Sequence, residues 1–598
     1  MPMKNPADYL KKKQETTDDL RKEAETNRSF LAWIRFGAIA LAILFGYLAI
    51  DQHAAWWLIL LVAALAAFGR IVIWDVNNNA QIRRLKELTT LINQEADFIA
   101  TGKPIPGNDT TVYLDLEHPY AYDLDIFGKG SLYAALNRAH SEQGRALLAN
   151  WLLEKSENIK ERQDAIQEIA EDPDWIFDLL VIGKETAFQD KTEERIEKWL
   201  YKENAPFQGK GWAFFRWAYP AVTLTMLALY ATNIIPGAVF GLLFVLFLAI
   251  SFALSAQVSQ HYTLLSGIVK EISSLSESLA KIEGKTFTQP LNQHLQPKGG
   301  SHEIRALDKL LSRFDYRLNV FVFVPLNAFL AWDLQQMIGL NAWRRRNKSG
   351  VKQWVDSLAT MEALSSLALL HFDRPDWCFP EIVPHHFHFE AKHLGHPLIP
   401  EAKRVSNDFK ATGQGQLELI TGSNMAGKST FLRTVGVNMV LAMAGAPVCA
   451  ETSSLSSISV VSSMRIADNL EDSTSTFYAE LKKLRSIIGK VNKREQVFIL
   501  LDEILRGTNS RDRLTGSKAL IRQLIRDNAV GIIATHDLEL AQLTEELPGH
   551  IRNYYFDVQF HGDELFFDYT LKEGVCTTKN AELLMKQIGI EISASQTT

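Results

Sequence analysis

The chain has 598 residues, 63 basic and 69 acidic, for a net charge of −6, with 22% charged and 47% hydrophobic residues. At about 150 residues per domain the length allows three or four domains, and this balance excludes disorder and a small disulfide scaffold. No basic excess advertises nucleic acid, and the widely spaced Cys378, Cys449 and Cys576 lack zinc-ligand spacing and suit a reducing compartment.

Residues 1–29 read as a cytosolic N-terminal segment carrying Lys11, Lys12, Lys13, Arg21, Lys22 and Arg28. The uncharged-rich runs Phe30–Ile50 and Ala54–Trp74 follow, separated only by Asp51, Gln52 and His53. Each is long enough for a bilayer core of about 30 Å at about 1.5 Å per residue, so 30–74 is expected to be a transmembrane hairpin. Residues 75–110 form a polar helical linker ending in a Gly/Pro stretch around Gly102, Pro104, Pro106 and Gly107. Helical periodicity returns over 111–211. Trp217–Asn233 and Ile235–Ala256 repeat the paired apolar arrangement within 212–257, with Asn233, Pro236 and Gly237 supplying the turn.

Arg35, Arg70 and Arg216 fall near the inner ends of these runs, where long side chains snorkel to headgroups. The outer turns carry no Lys or Arg, whereas Arg83, Arg84, Lys86, Lys198, Lys202, Lys210 and Lys270 flank the inner ends. The positive-inside rule then predicts a multi-pass protein of the inner, cytoplasmic membrane, with four transmembrane helices and everything else in the cytosol. Residues 258–383 continue the helical region.

From 384 to 598 short β-rich runs alternate with helices: Leu417–Thr421, Ser459–Met464, Val497–Leu501 and Gly531–Thr535. This predicts an α/β domain with a mainly parallel sheet. The first run leads into Gly422-Ser423-Asn424-Met425-Ala426-Gly427-Lys428-Ser429-Thr430, then an apolar helix over Phe431–Met443. This G-x-x-x-x-G-K-S spacing between strand and helix turns backbone N–H groups toward phosphates. Lys428 is placed to neutralise the β/γ-phosphates and the Ser429 hydroxyl to ligate Mg²⁺. The wholly apolar Val497–Leu501 ends in Asp502, expected to hold the metal through water, and Glu503, expected as general base for water. The next strand delivers His536 to the same edge, where an imidazole can sense the γ-phosphate.

With these residues in place, the chain resembles the MutS family of DNA mismatch-repair ATPases, of the ABC class, over about residues 115–590. His396-Pro397, Val405-Ser406-Asn407-Asp408 and ITGSNMAGKSTFLRTVG look like that family's ATPase entry. LLDEILRGTNSRD looks like its Walker B and D-loop, and ATHDLEL like its switch-histidine segment. Ser475-Thr476-Phe477 with Glu480 matches S-T-F-x-x-E beside the signature segment that reaches the partner's nucleotide. Asp125-Ile126-Phe127-Gly128 and Gly144–Leu152 look like the start of its helical lever, which places core and lever in 111–211 and 258–383. The resemblance implies ATP and Mg²⁺ as cofactors, a homodimer, and double-stranded DNA as partner.

There are departures from the pattern. Asp472, with Ser473 next to it, stands at the trans-acting serine, so Ser473 and Ser475 are the candidates for that role. Arg404 replaces an adenine-stacking ring, leaving Val405 as the apolar contact. The family's mismatch reader, a Phe-x-Glu in an N-terminal domain, is expected to be missing, because the first hundred residues are membrane and linker. Phe379-Pro380-Glu381 lies too close to the ATPase to replace it.

Three functions are compatible with this reading. One is a membrane-anchored ATPase acting on mismatched or structured DNA. Another is an ATP-driven membrane switch without mismatch recognition. The last, an ABC-type transporter, is disfavoured by the absence of L-S-G-G-Q and of charged groups deep in the runs.

Overall fold

The structure is a computed structural model. It describes residues 5–52, 54–105, 110–202, 206–423, 426–465, 476–561 and 564–576. It is mostly helical, with an α/β region at the C-terminal end.

Two 47-residue helices, α1 (Pro6–Gln52) and α2 (Ala55–Thr101), pack against each other as a hairpin. Pro6 starts α1 at a position that needs no N–H, and α2 stops at Gly102, whose left-handed φ of 65° ends the turn. The apolar runs expected at 30–50 and 54–74 are thus only parts of longer helices. Their polar portions stay paired through Ala24, Ile82 and Leu85, through the Asn78 amide on the Ala24 carbonyl (2.8 Å) and through Arg35–Asp75 (2.8 Å). The Arg35 group expected to snorkel is therefore held by a carboxylate.

The hairpin's polar end docks onto a helical body. Tyr9 donates to Asp174 at 2.7 Å and Lys13 pairs with the same carboxylate. Buried Glu95 of α2 takes Arg138 Nη2 at 2.8 Å, and Arg374 donates to the Phe98 and Ile99 carbonyls. At the body's centre, helix Gly350–Asp373 is buried along most of its length, and its Glu362 accepts the Ser141 N–H and hydroxyl.

Helices Lys210–Ala231 and Gly237–Leu265 form the second hairpin, turning at Asn233 (φ 59°). Among the described residues three helices are long and apolar enough to cross a membrane: α1, α2 and Gly237–Leu265. The number reaches four if Val320–Leu330 and Trp332–Asn347, bent by 79° at Ala331, are taken as one span. Helix Lys210–Ala231, which holds most of the expected third run Trp217–Asn233, is not among them, because Trp217, Tyr219, Pro220, Thr223 and Thr225 dilute its apolar content. Arg216 donates to Gln335 at 2.6 Å. In the basic stretch after Trp343, which is fully buried, Arg344 binds the Trp199 and Lys202 carbonyls, while Arg345 and Arg346 are exposed.

The C-terminal region contains β1 (Glu381–Val383), β2 (His388–Leu394), β3 (Asn407–Thr412), β4 (Leu417–Thr421) and β5 (Thr452–Ser456). It continues with β6 (Ser459–Ser463), β7 (Val497–Asp502), β8 (Val530–Thr535), β9 (Ile551–His561) and β10 (Glu564–Glu573). One sheet has the order β1-β5-β2-β3 and the other β10-β9-β4-β8-β7-β6. In the second, β4, β6, β7, β8 and β9 run parallel and only β10 is antiparallel. The four strands expected from sequence in this sheet are present. The first sheet and the β9–β10 hairpin were not anticipated.

Candidate functional site

β4 is buried at every position, and its C-terminal end opens into the glycine loop and then helix Lys428–Met443. Gly422 (φ 151°) and Gly427 (φ 105°) hold conformations that L side chains rarely adopt. A Cβ on Gly422 would lie 2.9 Å from the Phe556 carbonyl, and one on Gly427 would lie 3.0 Å from the Tyr569 ring. Asn424 and Met425 lie outside the described residues. Lys428 is buried, and its Nζ donates to the Gly422 and Ser423 carbonyls at 2.7 and 2.8 Å. Burial pushes its pKa down, and Glu503 and Asp502 pull it back.

Parallel pairing of β7 with β8, and of β8 with β4, brings Asp502, Glu503 and His536 to the same sheet edge as Lys428 and Ser429. Ser429 Oγ donates to Asp502 Oδ2 at 2.5 Å, while among the described residues Asp502 Oδ1 is buried without a partner. Burial raises the Asp502 pKa, opposed by the Ser429 hydroxyl and Arg506. The Glu503 carboxylate lies 3.3 Å from His536 Nδ1 and 3.0 Å from Arg506 Nε. A cavity of about 570 Å³ spans this edge, with Ser423, Gly427, Lys428, Ser429, Thr430 and Glu503 in its wall. Val405 lines it too, while the Arg404 guanidinium is turned over the Trp377 ring at 5.9 Å. Ala426 is buried under the loop.

These residues fit a magnesium–phosphate group. Asp502 keeps an orphaned oxygen beside a hydroxyl, and the buried ammonium is satisfied only by loop carbonyls. Among the described residues no three His, Cys, Asp or Glu side chains converge to hold a metal alone. That suits Mg²⁺, which takes one or two protein ligands and fills its sphere with phosphate oxygens and water.

Three contributors escaped the sequence reading. Arg506, four residues past Asp502, holds Glu503. Tyr569 reaches the loop from β10, where the register with β9 shifts between Phe567 and Leu571. Asn407 fixes that strand by donating to the Tyr569 carbonyl (3.1 Å) and accepting from the Leu571 N–H (2.7 Å). Arg506 left a local signal, its place in the run after the acidic pair, and Asn407 another, its place in Val405-Ser406-Asn407-Asp408, whereas Tyr569 left none. Asp472, Ser473 and Ser475 lie outside the described residues. Glu480, on the helix Thr476–Asn492 that follows them, is buried and accepts the Leu505 N–H beside the site.

The site is also tied to the helical body. Arg433, one turn after Ser429, donates to the Asp123 carbonyl at 3.0 Å. The buried Asp123 carboxylate accepts the Ser462 hydroxyl (2.7 Å) and Lys483 Nζ (2.9 Å).

Residues 418–590 match the family model of MutS domain V. A DNA mismatch repair protein MutS from Persephonella marina is 32% identical over 235 residues, covering 39% of this chain and 26% of that protein. The protein of the same name from Chlorobium phaeovibrioides is 35% identical over 217 residues, 35% of this chain and 24% of its own. That from a Thermotoga species is 29% identical over 249 residues, 41% and 31% respectively. The chain thus spans about a quarter to a third of the length of these curated relatives.

Proposed function

We propose that this chain, a MutS-family protein through its C-terminal domain, is a membrane-anchored ATPase whose nucleotide cycle is coupled to binding of double-stranded DNA, mismatched or otherwise structured. The observation that carries the reading is the meeting of Lys428, Ser429, Asp502, Glu503 and His536 at one edge of a parallel sheet, around a cavity with an orphaned carboxylate oxygen. Mg²⁺ held by Ser429 and, through water, by Asp502 would neutralise phosphate charge when bound.

The remaining roles belong to the chain. Lys428 exchanges two loop carbonyls for phosphate oxygens. The backbone N–H groups of the glycine loop cradle the anion at a helix N-terminus. Glu503 takes the proton of the attacking water, with Arg506 orienting its carboxylate. His536, on the other side of that carboxylate, reports the presence of the γ-phosphate. Val405 gives the base an apolar contact. A second copy of the chain, contributing Ser473 or Ser475, completes the site in a homodimer. The positive flanks of the apolar helices support placement of this machinery at the cytoplasmic face of the inner membrane, with two hairpins in the bilayer.

A second reading, an ATP-driven membrane switch without mismatch recognition, is favoured by the N-terminal hairpin. Long paired helices fill the first hundred residues, and the match to curated relatives is confined to about two-fifths of the chain.

The test uses the full chain in detergent or nanodiscs. Lys428→Ala is expected to abolish nucleotide binding, whereas Glu503→Ala preserves binding and stops turnover; equal loss of affinity in both would refute the roles given. Duplex binding is expected to fall steeply with salt and to change with the nucleotide. Discrimination of mismatched from matched duplex is expected to stay below the roughly 1–3 kcal/mol typical of base readout. No duplex binding even at low salt would transfer the assignment to the membrane switch.

A further inference from the structure

Helix Val320–Leu330 consists of apolar residues except for Asn327, and it leaves a contiguous apolar surface uncovered. Leu318 is 73% exposed, Val320 65% and Phe321 92%. At 11 residues it is about 16 Å long, too short to cross a bilayer core of about 30 Å.

Its partners place it alongside the second hairpin, with its C-terminal end well away from the hairpin's inner ends. The Phe329 ring lies 5.7 Å from Phe244, and the Phe329 carbonyl accepts the Thr223 hydroxyl at 2.5 Å. Phe244 lies about 10 Å along Gly237–Leu265 from the outer turn, and Thr223 about 12 Å from it along Lys210–Ala231. At the other end, Phe323 meets Phe252, about 22 Å from that turn. The helix therefore descends from the inner side, with its C-terminal end near the depth of the bilayer mid-plane.

The chain breaks there, and side chains of the hairpin cover freed carbonyls at the break. Ala331 adopts a left-handed conformation (φ 46°) and the next helix leaves at 79°. Of the carbonyls freed at the helix end, that of Ala328 accepts the Tyr219 hydroxyl at 2.8 Å and that of Phe329 the Thr223 hydroxyl. Asn327 donates to Ser255 Oγ at 2.9 Å and accepts the Asp333 N–H at 3.3 Å. Irregular backbone at membrane depth persists only where protein groups satisfy it, and here two hydroxyls of Lys210–Ala231 and the Asn327 side chain do so.

We propose that residues 318–331 form a re-entrant element that enters the inner leaflet beside the second hairpin and turns back at Ala331, with Leu318, Val320 and Phe321 facing lipid acyl chains. Continuity with the hairpin's own exposed Phe252, whose ring meets Phe323, identifies the occupant as lipid. The inference rests on the reading that the hairpin lies in the bilayer.

The experiment reconstitutes the full chain in liposomes with a spin label on a cysteine introduced by Phe321→Cys or Leu318→Cys. Val245→Cys serves as the lipid reference and Lys270→Cys as the aqueous one. The unsubstituted chain gives the blank for the native cysteines, two of them buried and Cys378 partly so. Collision with oxygen, which concentrates in acyl chains, is compared with collision with a water-soluble nickel chelate. Labels at 321 and 318 are expected to shift toward oxygen as the one at 245 does. Chelate preference at 321 and 318 with oxygen preference at 245 overturns the proposal and leaves the hairpin reading intact. Chelate preference at all three overturns the hairpin reading itself. Spin–spin broadening at 321 with neither collider reaching it means that a second copy covers the face, which also overturns the proposal.

Discussion

Removal of Glu480 is expected to disable turnover from outside the cavity. Its buried carboxylate accepts the N–H group of Leu505, in the loop that follows Glu503. That loop is strained, since Glu503 and Leu505 hold φ of 48° and 60°, where non-glycine residues cost roughly 1–2 kcal/mol each. A hydrogen bond to a charged acceptor is worth roughly 1.5–3 kcal/mol, comparable with that strain. Glu480→Ala therefore lets the loop relax and depopulates the arrangement that presents Glu503 to water. At about 1.4 kcal/mol per tenfold, hydrolysis should fall roughly ten- to a hundredfold. Nucleotide affinity should hold, because Lys428 and Ser429 are anchored elsewhere. Glu480→Gln keeps an acceptor oxygen and should retain most of the rate. Single-turnover hydrolysis beside equilibrium nucleotide binding, both on the full chain, measures this. Unchanged turnover in Glu480→Ala, or turnover and affinity falling together, would refute the reasoning.

Glu418 on β4 is buried, with Arg552 3.9 Å away, and burial pushes its pKa from 4.5 up to about 7. The native state then holds a proton that the unfolded state has released between about pH 4.5 and 7. Stability should drop by up to about 3 kcal/mol as pH rises through that window, and Glu418→Gln should flatten the drop in thermal melts at pH 5 and 8. A wild-type profile that rises with pH while that of the variant is unchanged would contradict this. Cysteines introduced by Gln52→Cys and Thr232→Cys are expected to react with an impermeant thiol reagent from outside the cell, and those at Lys12, Lys86 and Lys270 are not. Purification of the full chain as a soluble protein without detergent would contradict that topology.

The strand–loop–helix around Lys428 and the acidic end of β7 were legible in sequence because each is a local device, encoded by glycines at fixed spacing or by an uninterrupted apolar run. Tyr569, the Asn407–Tyr569 contact and the Glu480–Leu505 contact were not, since each depends on a strand register or helix docking that no short window contains. The full lengths of α1 and α2 are not legible in the apolar runs for a different reason. An apolar run ends where the solvent changes, whereas a helix ends only at a cap, and none intervenes before Gln52 or Gly102. Val320–Leu330 reads as core by the same logic, being too short to announce a membrane.

The unbroken α1–α2 hairpin has a mechanical consequence. Each helix is about 70 Å long, and its polar end is pinned to the body by Tyr9, Lys13, Glu95 and Arg374. With no joint along that length, a tilt of the body by about 10° sweeps the far tip sideways by about 12 Å, given the roughly 70 Å arm. A rigid strut of this kind works in both directions, so in the proposed membrane setting tension or thickness changes in the lipid would bear on the same body that holds helix Lys428–Met443 through Asp123 and Arg433.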